Sequence, residues 1–216
     1  MRRCTALLTV VVAVVTALPT SAAAETMDFK LLMNYSQANF RSDASLETFV
    51  GISALEGIQG TLTLDPSKPQ EARSTVRVDM NRVTTGIEKR DADMRSKRYL
   101  DTEVDANRWV TFQVQKVEIA GPLESGKQVP AKVHGLLTIK QKPVEVVADA
   151  SIMYMRLTPE ELEQQKRFGF GTDNIKVRAK LNTTFTAHGM QIPQILFLKV
   201  ANELQIATDL VFARTQ

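Results

Sequence analysis

The sequence predicts an all-β protein whose antiparallel sheet closes into a barrel. Apolar and polar residues alternate along most of the chain, as they do in a strand with one buried face. In residues 144–154, for example, every second side chain from Val144 to Tyr154 is apolar or small. The strand–helix–strand spacing of parallel sheets does not occur, so neighbouring strands are expected to run antiparallel.

The alternation predicts about eight to ten strands. Three are expected near residues 28–40, 45–53 and 57–65, and a long one from Ile175 to Ala187. Closure into a barrel would remove all the sheet edges, and an eight-stranded barrel can hold one small or slender ligand. A two-sheet sandwich with a filled core is the alternative that the pattern leaves open.

The first 24 residues have the three-part layout of a cleaved secretory signal peptide. Arg2 and Arg3 precede an apolar run, and small residues allow cleavage after Ala24. A membrane anchor, the alternative, usually needs a longer apolar run. Residues 25–216 are therefore expected to form one periplasmic or secreted barrel domain with no stable membrane anchor.

Composition and motif content exclude several classes of function. Cleavage would remove the only cysteine, Cys4, and lower the formal net charge from +3 to +1, which gives no electrostatic reason to expect nucleic acid as a partner. The two histidines, His134 and His188, lie far apart in the sequence, with no acidic cluster beside them. No Ser-His-Asp set can be argued. We therefore expect no catalytic residues, no metal and no enzyme activity.

Two segments interrupt the strand pattern. Residues 84–103, here called the lid segment, are highly charged and too long for a hairpin turn, so they predict a short helix over one end of the sheet. Thr158 and Pro159 suit the first positions of a second helix, which Gly169 would end.

The lid segment and the strands after it also contain short motifs in a fixed order. They are Thr85-Gly86, Arg90-Asp91, Met94-Arg95-Ser96, Tyr99-Leu100-Asp101, Asn107-Arg108-Trp109, Gly135-Leu136-Leu137-Thr138-Ile139 and Pro143-Val144. In this order and spacing they resemble the YceI-like polyisoprenoid-binding family. The chain differs from that family near its C-terminus, where residues 188–206 replace a common Arg-x-Asp-Phe-Gly segment.

The resemblance implies an extended, lipocalin-like antiparallel barrel of eight strands with one or two short helices on strand connections. It further implies a periplasmic binding protein, with no cofactor other than a bound isoprenoid lipid, a polyprenyl phosphate or an isoprenoid quinone. The alternative is an envelope structural or interaction barrel, filled by its own side chains, that binds no ligand. The sequence also leaves open whether two chains form a homodimer by pairing exposed strands.

Strand alternation gives the side chains expected to line the lumen. They are Phe40, Phe49, Leu62, Val78, Phe112, Leu137, Val146, Ile152, Leu181 and Phe185. Arg90 and Asp91 are expected to pair and fix the lid segment, or else to orient a polar head group. Arg95 is expected either to contact the same polar head group or to lie on a solvated face of the predicted helix. Methionines are expected mainly as core filling that also suits an adaptable lumen.

Overall fold

The structure is a computed structural model that describes residues 26–195 and 198–215. The expected signal peptide, residues 1–24 with Cys4, lies outside the described residues. The strands are β1 (Met27–Leu31), β2 (Gln37–Asp43), β3 (Thr48–Ser53), β4 (Ile58–Leu64), β5 (Arg73–Asp79), β6 (Val83–Thr84), β7 (Trp109–Ile119), β8 (Gln128–Ile139), β9 (Lys142–Arg156), β10 (Asp173–Thr184), β11 (Gln194–Ile195), β12 (Leu198–Lys199) and β13 (Glu203–Arg214). The helices are α1 (Glu88–Arg95), α2 (Asp105–Arg108) and α3 (Pro159–Gln165).

Eight antiparallel strands close into a barrel, which confirms the predicted fold class. Three of the eight are split in two, as β1/β2, β3/β4 and β5/β6. The order around the wall is then β1/β2, β3/β4, β5/β6, β7, β8, β9, β10 and β13. The barrel closes where β13 pairs with the first strand, with Arg214 opposite Phe29 on β1 and Ile206 opposite Phe40 on β2.

At two of the three splits a side chain bonds the local backbone. Between β1 and β2, where one strand over 28–40 was predicted, Met33–Tyr35 form a 3-10 turn. The Ser36 hydroxyl donates to the Leu32 carbonyl (2.9 Å) and accepts from the Val211 N–H (3.0 Å). A second turn, Met80–Arg82, separates β5 from β6 and is capped by the Asp79 carboxylate.

One half of the barrel is filled by its own side chains. Phe29, Ile58, Ile175 and Phe212 are almost completely buried there, and smaller apolar residues fill the space between them. At this end the Tyr154 hydroxyl donates to Asp173 (2.5 Å), which Arg214 also contacts (3.1 Å). Burial, and then this hydrogen bond to Asp173, raise the pKa of Tyr154 to about 12. The packed half therefore leaves the other half as the place for a cavity.

Two of the three helices, α1 and α3, lie in the segments where the sequence predicted helices. Thr158 caps α3, and Glu161 returns the hydrogen bond to complete a capping box. Gly169 ends the following turn with a φ of 91°, which glycine adopts without strain. The one-turn helix α2 was not predicted.

Strand β10 is shorter than predicted. It ends at Thr184 rather than Ala187, because Phe185 takes helical dihedrals and starts a turn. Among the described residues, no helix has both the length and the apolar character needed to cross a membrane.

Candidate ligand-binding cavity

A cavity of about 430 Å³ occupies the barrel half opposite the packed end. This volume lies within the roughly 300–1,000 Å³ range of small-molecule sites. Its wall is predominantly apolar. The lining side chains in the described chain come from β2, β3 and the loop between them, β5 with its turn, β6, the lid segment, β7, the end of β8, and the segments 185–194 and 200–206. The apolar ones include Phe40, Phe49, Val78, Met80, Val83, Met94, Leu100, Val110, Ile139, Phe185, Met190, Leu204 and Ile206.

On β2 and β3 the inward positions alternate between large and small side chains. Phe40 on β2 pairs directly with Gly51 on β3, and both line the cavity. A Cβ built on Gly51 would lie 2.1 Å from Cε1 of Phe40, so the ring occupies the space that a side chain at Gly51 would need. Glycine therefore sets the position of the Phe40 ring and the width of the cavity at this level.

Residues from the segments 185–194 and 200–206 form a second wall. After β10 the chain turns at Thr186–His188, and Met190 N–H then bonds the Phe185 carbonyl (3.0 Å). This turn directs both Phe185 and Met190 to the cavity. Val200 contributes further along, where Ala44 forms an isolated bridge to it.

The lid segment is fixed by a buried carboxylate. Asp91, on the first turn of α1, accepts from the Thr84 hydroxyl (2.6 Å), the Thr85 N–H (2.7 Å) and the Thr85 hydroxyl (2.5 Å). Burial alone would raise the pKa of the Asp91 carboxyl, but these hydrogen bonds outweigh it and hold that pKa below 3.8. Asp91 therefore stays ionised and ties α1 to the end of β6.

Arg90 spans the cavity mouth. Its guanidinium donates to the Thr85 hydroxyl (2.9 Å) and to Glu47 (2.7 Å), on the loop between β2 and β3. It also lies over the Phe49 ring, 5.0 Å from the ring centroid. Arg90 and Asp91 therefore both bond Thr85, and they do not form the direct pair that was one of the two expectations from sequence.

Further contacts hold the rest of the lid segment. Arg95 donates to the backbone carbonyls of Val83 (2.7 Å) and Met80 (3.3 Å), so it does not lie on a solvated helix face. From the β8–β9 turn, Lys140 donates to the Tyr99 carbonyl (2.6 Å). The three predicted polar residues thus all fasten the lid segment, and their proposed contact with a head group stays a prediction.

The charged side chains that line the cavity balance each other in the described chain. They are two cations and two carboxylates in two ion pairs: Arg90 with Glu47 at 2.7 Å, and Lys89 with Asp93 at 3.6 Å. Arg90 thus has a close carboxylate partner at the mouth, whereas the Lys89–Asp93 pair is largely exposed to water.

Of the ten predicted lumen residues, nine belong to the barrel's two apolar clusters, and the tenth, Phe49, is buried beside the cavity. Phe40, Phe49, Val78 and Phe185 line the cavity. Another four pack around it in the same half of the barrel: Phe112, Leu137, Val146 and Leu181. For Leu62 and Ile152 the prediction that they line the lumen was wrong. Both lie in the packed half, where neighbouring side chains fill the interior. Whether any of these residues binds a ligand stays a prediction.

Several lining residues were not selected from sequence. Ala38 and Ser42 share the inward face of β2 with Phe40, so strict alternation could have identified them. Leu204 and Ile206 alternate in the same way on β13. Ile87 and Met190 lie in a cap and a loop, where no periodic pattern indicates a direction.

The two histidines have structural surroundings. His134 is on the outer face of β8, with Nε2 3.2 Å from a Glu118 carboxylate oxygen. His188 is fully buried, and its ring nitrogens contact the Thr183 hydroxyl and the Lys142 carbonyl, both at 2.9 Å. In the part of the chain that the structure describes, no group of three or more His, Cys, Asp or Glu side chains could hold a metal ion.

His188 predicts a pH dependence of stability. Burial lowers the pKa of His188 below 6.5, and the Lys142 carbonyl opposes this only partly. As the pH falls through 6.5 the unfolded chain takes up a proton before the folded chain does, so the free energy of unfolding decreases. We expect urea unfolding to show this loss between pH 7 and pH 5 in the wild type, and a smaller loss in His188→Gln. Equal slopes in both proteins would contradict the assignment.

A closed antiparallel barrel with a lidded apolar cavity is the architecture of proteins that hold one small or slender apolar ligand. The family follows from the sequence as a whole: residues 29–212 match the model of the YceI-like domain, and the chain belongs to this family. No curated protein sequence matches the chain.

Solved structures share the fold at low sequence identity. A polyisoprenoid binding domain from Saccharophagus degradans, implicated in plant cell wall breakdown, is 14% identical with a TM-score of 0.62, covering 88% of this chain and 99% of that one. Burkholderia cenocepacia BcnA is 18% identical with a TM-score of 0.60, covering 82% and 95%. The Campylobacter jejuni YCEI protein is 15% identical with a TM-score of 0.57, covering 77% and 84%.

Proposed function

We propose that this protein is a non-enzymatic binding protein that holds an isoprenoid lipid in its cavity. The ligand would be a polyprenyl phosphate or an isoprenoid quinone, carried in the periplasm after export directed by residues 1–24. Membership of the YceI-like family supports the proposal, as does the description of the Saccharophagus degradans relative as a polyisoprenoid binding domain.

The observation that carries the proposal is the contrast between the two barrel halves. One half is packed by its own side chains, whereas the other encloses about 430 Å³ behind a predominantly apolar wall. Burial of apolar surface from water contributes roughly 25 cal/mol per Å², so a prenyl chain would bind such a wall with few polar contacts. Met80, Met94 and Met190 are flexible parts of that wall and would adapt to the methyl branches of the chain.

Binding should be measured directly with added lipid. Native mass spectrometry of the purified protein with a short-tailed ubiquinone, and separately with a polyprenyl phosphate, should show a complex of one lipid per chain. A straight-chain alkane of similar length serves as the comparison for binding that does not depend on the isoprenoid. If neither prenyl lipid forms a complex, the proposed function is wrong and the barrel is a structural or interaction module.

Arg90 predicts how the lid segment controls ligand exchange. Because its guanidinium bridges Thr85 and Glu47 across the mouth, Arg90→Ala should loosen the contact between α1 and the β2–β3 loop. We expect the lipid dissociation rate to rise several-fold, measured by transfer of bound quinone to acceptor vesicles. Since the Arg90–Glu47 pair is only partly buried, the free energy of unfolding should change by about 1 kcal/mol or less.

The matched control is Lys89→Ala on the neighbouring helix position. Lys89 lines the same mouth, but its ion pair with Asp93 stays within α1 and does not cross to the β2–β3 loop. Its dissociation rate should remain near the wild-type value. Similar acceleration in both variants would show that general charge loss, rather than the bridge across the mouth, controls exchange.

A further inference from the structure

Ser42 is a buried polar residue that the barrel itself does not explain. It lies on the inward face of β2, opposite Phe49, and lines the cavity while only 3% of its surface is exposed. Its hydroxyl has no hydrogen-bond partner among the described residues. A buried hydroxyl without a partner is destabilising, so such groups in folded proteins call for an explanation.

Two neighbouring serines show what a purely structural role looks like in this wall. The Ser36 hydroxyl bonds the backbone of Leu32 and Val211 where the first strand is split. The Ser53 hydroxyl accepts from the Ala38 N–H at 3.0 Å. Each of these serine hydroxyls bonds a backbone group of the wall, whereas the Ser42 hydroxyl bonds none in the described part of the chain.

The charges at the mouth restrict what could bond to Ser42. A lipid phosphate would bring about −1.5 to −2 charges at neutral pH. Arg90, the less exposed of the two lining cations, is paired with Glu47 at 2.7 Å, so a phosphate would have to compete with this carboxylate. Lys89 lies largely in water and its contact with Asp93 is 3.6 Å long, so it supplies no buried counter-charge. Burying a charge without a free counter-charge is strongly unfavourable, whereas an uncharged oxygen needs only a hydrogen bond.

We infer that Ser42 is the hydrogen-bonding anchor for an uncharged polar end of the ligand, and that the cavity therefore selects a neutral isoprenoid, an alcohol or a quinone, over a prenyl phosphate. This inference rests on the proposed function and narrows its ligand class. The carbonyl or hydroxyl oxygen of the ligand meets the Ser42 hydroxyl near the mouth, and the prenyl chain extends past Phe40 toward the middle of the barrel.

The test compares three probes with one carbon skeleton: geranylgeraniol, its monophosphate, and the corresponding hydrocarbon without a hydroxyl. For the wild type we expect the alcohol to bind at least about tenfold more tightly than the monophosphate. Ser42→Ala should lower the affinity for the alcohol about three- to tenfold and leave the affinity for the hydrocarbon unchanged. Ser42→Thr, which keeps a hydroxyl, should retain most of the alcohol affinity.

The outcomes separate the inference from the function on which it rests. Equal or tighter binding of the monophosphate by the wild type would overturn the neutral-ligand selection while leaving lipid binding in place. Equal weakening of alcohol and hydrocarbon in Ser42→Ala would show a packing role and overturn the anchor. If the wild type binds none of the three probes, the proposed function and this inference fail together.

Discussion

Replacing Gly51 with valine should abolish most isoprenoid binding. The new Cβ would stand 2.1 Å from the Phe40 ring, so the ring must move, and the open space next to it is the cavity. The displaced ring and the two added methyl groups then occupy the volume that the prenyl chain needs. We expect the affinity for a short-tailed quinone to fall at least about tenfold, which corresponds to ~1.4 kcal/mol of binding free energy.

The cost of this substitution to folding should be smaller than its effect on binding. Overpacking a core typically costs about 1–3 kcal/mol, but a cavity beside the new side chain absorbs part of the strain. Val50→Leu is the matched control, because Val50 is on the same strand and faces outward. Quinone binding measured by native mass spectrometry should be unchanged in the control. Wild-type affinity in Gly51→Val would mean that the ligand does not enter this cavity.

Among the substitutions proposed here, removal of the Asp79 carboxylate should lower the free energy of unfolding the most. Asp79 is 2% exposed and accepts from Arg108 Nε (3.0 Å) and Nη2 (2.6 Å), and from the Asn81 N–H (3.0 Å). Asp79→Ala leaves these donors without their acceptor in a largely buried site. Because Arg108 remains partly in contact with water, we expect a loss of about 2–3 kcal/mol, at or below the low end for breaking a buried ion pair.

Urea unfolding provides the measurement. A loss of this size should lower the unfolding midpoint by roughly 1 M. Asp149→Ala is the control, since Asp149 forms an exposed pair with Lys132, and its midpoint should move little. A midpoint in Asp79→Ala equal to that of the control would show that the buried pair contributes nothing measurable.

The same carboxylate should contribute to acid sensitivity. The hydrogen bonds from Arg108, aided by the Asn81 N–H, outweigh burial and hold the pKa of Asp79 below 3.8. Its contribution is therefore complete at neutral pH and is lost as the pH falls below 3.8 through the pKa of the folded state. Asp79→Ala should lose less stability than the wild type between pH 5 and pH 2.

Alternation predicted which side chains face the interior, but not how far along the barrel they lie. Phe40 and Leu62 both point inward, yet only Phe40 reaches the cavity, because strand pairing and stagger place Leu62 in the packed half. Level depends on contacts between distant segments, which a single strand's pattern does not contain. The fold class could be predicted from sequence because period-2 alternation is a local property of each strand.

The polar contacts of the lid segment were the least predictable part. Arg90 pairs with Glu47, which lies 43 positions earlier in the chain, rather than with its neighbour Asp91. Ser42 was missed because a polar residue on an apolar face does not count as a lining residue in a hydrophobicity pattern. Both become visible only when β2, β3 and α1 are brought together.

The central claim is that the unfilled half of this barrel holds an isoprenoid lipid. The most direct measurement is organic-solvent extraction of the purified protein from a bacterial host, followed by mass spectrometry of the extract. We expect an isoprenoid lipid to co-purify with the wild type and to be strongly reduced with Gly51→Val. An extract without isoprenoid, together with no uptake of added quinone or prenyl alcohol by the wild type, would contradict the claim.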